Sequence, residues 1–428
     1  WTPPATAYRI TVDTDGLYAL TYTDLANALL PVNTLDPRSL QLFYMGQEVP
    51  IRVLGEEDGV FNATDVVLFY GRGVEWLFLE GVLPTNKYTR DNVYWLTYGC
   101  AAGPCAGPYG ARMAEVDGAG TGDVPPSFPH RERLIKSQWY FSQYPFEHDA
   151  DHWFADWTTQ NTATHRTYSF YAYNHTPDPL PGTLSLRLLG WGNNPHHLRV
   201  WVNNNLVIDG SGGWSGFTFY ETTVAVPRNL FVEGLNRIRV GIALPPGVGT
   251  DMVYLDWWDL TYYDTYVAEN NLLVFDNPSA GTWQYDVSNF ATPDIEVYDV
   301  TDFTAPRRII NTAVSPAAPH SVGFGATADG ARRYLALTPA AWRTPLAIER
   351  AVYPASLYSL PNLLDAQNGA DYILIAHRDF WSQAETLVSY RDREFRAVLV
   401  DVQQIYDQFN GGMMSAEAIR DFLAYAHA

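Results

Sequence analysis

Lysine and cysteine are nearly missing from this 428-residue sequence: Lys87 and Lys136 are the only lysines, and Cys100 and Cys105 the only cysteines. Two cysteines exclude a densely disulfide-stapled scaffold, so the fold must rest on buried apolar cores. Charge is sparse, at 17% of residues, and mostly of one sign: 27 basic against 47 acidic residues give a net charge of −20. That balance excludes a general electrostatic match to nucleic acid or to an anionic membrane surface. No stretch reaches the ~18 uninterrupted apolar residues that a membrane-spanning helix needs. The sequence opens at Trp1 with neither an initiator Met nor a signal-like run, which reads as a trimmed, mature product. What is plentiful is apolar and aromatic surface, 47% and 14% of residues, with 14 tryptophans. A chain of this length predicts roughly three domains, each with its own core.

Residues 1–125 predict short strands separated by turns ("YRITV", "LYALTY", "SLQLFYM", "DVVLFYG", "NVYWLTYG"), with a helical stretch at Thr23–Leu30 and a Gly/Ala/Pro-rich linker after Ala101. Residues 126–265 predict an aromatic-rich, jelly-roll-like β-sandwich. There Ile238, Val240, Ile242 and Leu244 alternate onto one face, and Asn203 to Asn205 supply a hairpin turn. Residues 266–369 predict a small β module and a proline-bearing connector. From 370 to 428 the pattern changes to β-α-β-α. The strands "YILIA" and "AVLVDV" are continuously apolar, as in a parallel sheet covered on both faces. Phe380, Ala384, Leu387 and Val388 mark one helix, and Ser415 caps another carrying Ile419, Phe422, Leu423 and Ala426. The fold class is thus multidomain and mainly β, followed by a partial α/β parallel sheet.

Several residues invite chemistry. Cys100 and Cys105 flank Gly and Pro that allow a tight loop closed by a disulfide in an oxidising compartment. The alternative is a pair of free thiols, and a zinc site would need two more ligands. His377 follows the first apolar strand of the α/β unit, where ligands gather at the carboxyl ends of parallel strands, so it is a candidate cleft residue beside a plain loop role. Asp379 and Asp401 fit capping better than chemistry. His148 and His152 are four apart among acids, yet the β-rich context favours a packed loop. The adjacent His196 and His197 point to opposite faces of a strand. Asp13, Asp15, Glu56, Asp58 and Asp65 sit in acidic, Gly-bearing turns and are the candidates for structural Ca²⁺, against a reading as solvated hairpins. In "YLDWWDL", Trp257 and Trp258 cannot both enter one core, so one ring faces another domain or a ligand such as a glycan.

Taken together, "DGLYALTYTDL", "LDPRSLQLFYMGQEVPIRV", "GEEDGVFNATDVVLFYG", "YTRDNVYWLTYG", "DHWFADW", "DMVYLDWWDLTYY", "ADYILIAHRDF", "AVLVDVQQIYDQFNGG" and "AEAIRDFLAYA" resemble the gingipain-type cysteine peptidases, the family that includes the type IX secretion sortase. The resemblance implies a secreted, extracellular or cell-surface protein whose β modules precede a caspase-like catalytic domain, and the family's use of calcium keeps a structural ion as the lesser option beside solvated hairpin turns. It also implies a catalytic His in a Gly-His context and a nucleophilic Cys. No Gly-His pair occurs here, and Cys100 and Cys105 match no catalytic position. The sequence therefore reads as the N-terminal region of such an endopeptidase, inactive alone, whose partner is the remaining catalytic half, in cis or as a cleaved chain. The alternative is a non-catalytic extracellular β-scaffold that self-assembles or binds surface glycans.

Overall fold

The computed structural model describes residues 2–4, 6–74, 88–99, 109–135, 138–145, 151–159, 165–210, 213–244 and 247–428. They form two compact units: residues 1–117, 296–310 and 337–428 in the first, and 118–295 with 311–336 in the second.

The first unit is built around a five-stranded antiparallel sheet in the order Ala347–Arg350, Tyr8–Val12, Asn92–Tyr98, Leu40–Tyr44 and Gln47–Val49, beside a three-stranded sheet of Gly16–Thr21, Val66–Gly71 and Arg52–Leu54. Tyr8, Ile10, Leu42, Phe69, Tyr94 and Trp95 are buried there. The predicted helix forms over Tyr22–Asn27, started by a capping box between Thr21 and Asp24. Within the low-periodicity stretch after Ala101 lies a short strand, Ala114–Asp117, which pairs in parallel with Arg307–Ile310. Its side chains are mostly exposed, so partner hydrogen bonding rather than a buried face makes it a strand.

The α/β segment belongs to this same unit. Tyr372–Ala376 and Ala397–Asp401 pair in parallel, joined through helix Trp381–Arg391 and followed by helices Val402–Phe409 and Ala416–His427. Both faces are covered. Val398 and Val400 pack with Ile405, Ala418 and Phe422, while Ala397 and Leu399 pack with Ala384 and Val388. Ser415 caps the last helix by accepting from Ala418 N–H at 3.3 Å. The expected apolar stripe of helix Trp381–Arg391 is narrower than the sequence suggested. Ala384 and Val388 are buried, but Phe380 and Leu387 are exposed.

The second unit contains the sandwich. One sheet runs Asp156–Thr159, Met252–Asp264, Gly182–Trp191, Phe219–Val226, with Phe128–Ile135 also on Met252–Asp264; the other runs Arg166–Ala172, Gly234–Ala243, Pro195–Val202, Asn205–Asp209. Between them lie Leu184, Leu186, Leu188, Val200, Ile238, Val240, Leu255 and Leu260. The hairpin turns at Asn203 and Asn204, both at positive φ, the conformation Asn tolerates best after glycine.

Candidate functional site

The carboxyl ends of the parallel strands are where an α/β unit offers chemistry. Strand Tyr372–Ala376 delivers His377 there, half-exposed, with its Nδ1 accepting from Asp379 N–H at 3.3 Å. Strand Ala397–Asp401 delivers Asp401, fully buried. Its Oδ1 accepts from Gln403 N–H at 3.0 Å and caps the next helix, while its Oδ2 accepts from Arg378 Nη2 at 3.3 Å. His377 and Asp401 thus end neighbouring strands, and Arg378 reaches from one to the other.

The same unit holds a feature the sequence did not announce. Asp407, on helix Val402–Phe409, is buried and accepts four hydrogen bonds. Arg9 donates from Nε at 3.2 Å and Nη2 at 2.7 Å, Tyr353 from its hydroxyl at 2.7 Å, and Gln403 from Nε2 at 2.9 Å. A buried carboxylate is tolerable only when its lone pairs are filled in this way. Burial pushes the Tyr353 phenol up, and the Asp407 charge adds to it, so Tyr353 stays a neutral donor. Arg9 also stacks over Trp95 at 5.4 Å, and the Trp95 indole N–H donates to Gly411 O at 2.8 Å. Gly411 and Gly412 both have positive φ, and a Cβ at Gly412 would lie 2.7 Å from Val93 Cγ1, so the helix-to-helix turn closes tightly on the antiparallel sheet. The first strand of the chain therefore holds the helix that follows the second parallel strand. Arg9 and Asp407 are 398 positions apart, and no local pattern could have paired them.

In the sandwich, Met252–Asp264 carries a β-bulge opposite Arg187 and Leu188: Trp257 faces Arg187, and Leu255 faces Leu188. The extra residue resets the alternation. Val253 and Leu255 point into the core before it, Trp258 and Leu260 after it, and Asp256 and Trp257 are both left outside. Trp258 is 3% exposed and is core. Trp257 lies on the outer face, where the Arg133 guanidinium caps it at 4.4 Å. Asp256 is pushed up to about 6, first by burial and against the pull of Arg187.

The remaining sequence candidates are placed as follows. Asp15 accepts from Arg72 Nε at 3.1 Å and from Gly73 N–H at 2.9 Å, and Glu56 is gripped by Arg112 at 2.8 Å. Asp13 accepts from the Thr14 hydroxyl, while Asp58 and Asp65 accept from Val60 N–H and Asn62 N–H. Among the described residues no group of three or more His, Cys, Asp or Glu side chains is placed to hold a metal ion. Cys100 and Cys105 lie outside the described residues, as does His148. His152 Nδ1 sits 2.8 Å from Tyr144 O, in a packed loop. His196 is buried with Nδ1 2.6 Å from Asp251 Oδ1, whereas His197 is only partly buried. No helix among the described residues is long and apolar enough to cross a membrane.

Residues 365–428, which contain the parallel strands, match peptidase family C25. No curated protein matches the chain. Among solved structures, dimeric latent PorU from Porphyromonas gingivalis is similar over 100% of this chain and 40% of that one, with 15% identity and a TM-score of 0.71. The chain thus spans less than half the length of that relative. Similarity to the isomalto-dextranase of Arthrobacter globiformis T6 covers 60% of this chain and 35% of that one, but its 9% identity and TM-score of 0.19 carry no argument. The chain is therefore gingipain-like, similar to the C25 peptidases in sequence at its C-terminal end and to PorU in fold along its whole length.

Proposed function

We propose that this chain is the β-rich N-terminal region of a gingipain-like cysteine endopeptidase, joined to the opening β-α-β-α of its catalytic domain. The observation that carries the reading is the unfinished parallel sheet. Tyr372–Ala376 is wholly apolar yet only partly buried along its length, while the strand it pairs with is buried throughout. A parallel sheet of two strands is too small to stand as a domain, and an open apolar edge needs covering. Further strands from a longer polypeptide supply that cover, and with them the Gly-His and Cys that a thiol peptidase needs. His377 and Asp401 then lie at the carboxyl rim of the completed sheet as cleft and positioning residues. The β modules precede the peptidase domain on an exported protein that works outside the cell or at its surface.

The reaction in this reading is attack of a thiolate on a peptide carbonyl, with His carrying the proton and backbone N–H groups holding the oxyanion. None of those groups belongs to this chain. Its own residues act by support: Arg9, Tyr353 and Gln403 fix Asp407 and its helix, and Asp401 fixes the start of that helix. The test compares peptide hydrolysis by this chain with hydrolysis by a longer polypeptide that contains it. The reading expects no turnover from the chain, and turnover from the longer form that a thiol-alkylating reagent abolishes. Turnover by the 428-residue chain, or alkylation-resistant turnover by the longer form, contradicts it.

A further inference from the structure

The outer face of one sandwich sheet is basic, in a chain of net charge −20. Along strand Gly234–Ala243 the inward residues Ile238, Val240 and Ile242 are buried, so Arg237 and Arg239 project the other way. Arg237 is exposed, and neither arginine has a carboxylate partner among the described residues. Their directly opposite neighbours on Arg166–Ala172 are short, Thr167 opposite Arg239 and Ser169 opposite Arg237. On the other side Arg239 stacks over Trp201 at 4.2 Å, and the His165 ring lies 4.8 Å from the same indole. Gly241 makes room for that ring, since a Cβ there would sit 2.2 Å from His165 Nδ1. The positive field is felt locally: His165 is held below its ordinary value, first by burial and then by Arg239 and Arg199. Carboxylates flank the face without filling it. Asp209 is taken by Arg199 at 2.9 Å, and Glu233, at the start of the strand, by His175. Farther along, the exposed rings of Tyr171 and Tyr173 stack on each other at 5.9 Å.

We propose that this face is a docking surface for an extended acidic peptide segment of a partner protein, with carboxylates at alternate positions. Two features select a peptide over other polyanions. Arg237 and Arg239 are two residues apart on one strand, a repeat of roughly 7 Å, the same repeat at which an extended peptide presents every second side chain. Each guanidinium presents a rigid fork matched to one carboxylate. Gly234–Ala243 is hydrogen-bonded on both edges, to Arg166–Ala172 and to Pro195–Val202, so recognition comes from side chains and not from strand addition. The proposal is independent of the peptidase reading, because it concerns the sandwich alone.

The experiment is fluorescence anisotropy on the full chain with a fluorescein-labelled peptide of about ten residues alternating Glu and Thr. The expected result is saturable binding that weakens strongly as salt rises from about 0.05 M to about 0.5 M. A peptide of the same composition with its Glu residues grouped in pairs should bind several-fold more weakly. Arg237→Glu should weaken binding about tenfold or more while leaving the unfolding midpoint unchanged, because the side chain is exposed. Arg239→Lys, which keeps the charge but not the stacked fork, should weaken it less. Absent binding, equal binding of the two peptides, an unaffected Arg237→Glu variant, or tighter binding of a sulfated oligosaccharide would each overturn the proposal.

Discussion

The sandwich of the second unit and the α/β segment of the first solve the same problem differently. In the sandwich, strand Gly182–Trp191 alternates from Gly182 to Leu188 and buries Leu184, Leu186 and Leu188 between two sheets of its own. In the α/β segment, both strands are apolar on both faces, but among the described residues Tyr372–Ala376 is paired along one edge only. Its second helix is held by Arg9 and Trp95 from the antiparallel sheet. The first region is closed by its own chemistry. The second leans on a neighbour on one side and, among the described residues, has no strand pairing on the other, and that asymmetry carries the functional reading.

The sharpest way to break the comparison is Asp407→Ala. It removes the buried counter-charge of Arg9, leaving only the exposed Glu349 at 3.2 Å, and should cost about 3–5 kcal/mol. Chemical denaturation followed by hydrogen exchange should show the loss in the first unit, with the sandwich amides still protected. If the sandwich amides lose protection equally, the α/β segment is not the separately supported region described here. Exchanging both partners, Arg9→Met with Asp407→Leu, should recover most of the stability, because the desolvation cost goes with the charges.

An effect of similar size, confined to the other region, is expected for Trp258→Ala. The ring lies in the sandwich core, so its removal should cost about 3–5 kcal/mol in denaturant titrations. The neighbouring Trp257→Ala, on the outer face, should cost clearly less. Equal losses would contradict the bulge assignment.

A third difference lies in pH response. Burial pushes Asp256 and Asp264 up to about 6 from an ordinary 3.8. The folded sandwich therefore favours their protonated forms. Their stabilising contribution is complete below 3.8 and is lost as pH rises toward 6. His130 adds to this at higher pH: burial pulls it down, but Glu132 and Asp264 outweigh that and raise it. Its contribution is present below 6.5 and is lost as pH rises through its raised value. Denaturation midpoints of the sandwich should therefore fall by an amount worth about 1–3 kcal/mol between about pH 4 and pH 7. A sandwich that gains stability over this range would contradict the assignment. The smallest effect should be Leu357→Ser. The side chain is 98% exposed, and the expected change is within about 0.5 kcal/mol.

How much of this was legible in the sequence follows from how far apart the determining residues lie. "YILIA", "AVLVDV", the Ser415 cap and the Asn203 turn are local patterns, and each forms where it was expected. The Asp256 bulge was half legible: the adjacent tryptophans announced a conflict with alternation, but only the pairing of Trp257 with Arg187 and of Leu255 with Leu188 shows how it is relieved. The Arg9–Asp407 pair was not legible, because nothing near either residue encodes the other. Phe380 and Leu387 matched a helical stripe, yet they face outward, since periodicity marks a stripe without saying which part of it is covered.

The most direct measurement of the central claim is backbone hydrogen exchange at Tyr372–Ala376, in this chain and in a longer polypeptide that contains it. The account predicts that amides on the open edge of this strand exchange quickly in the 428-residue chain and slow by orders of magnitude once further strands pair with them. Slow exchange in the shorter chain, equal to that of Ala397–Asp401, would mean that the sheet is already complete and that the peptidase reading is wrong.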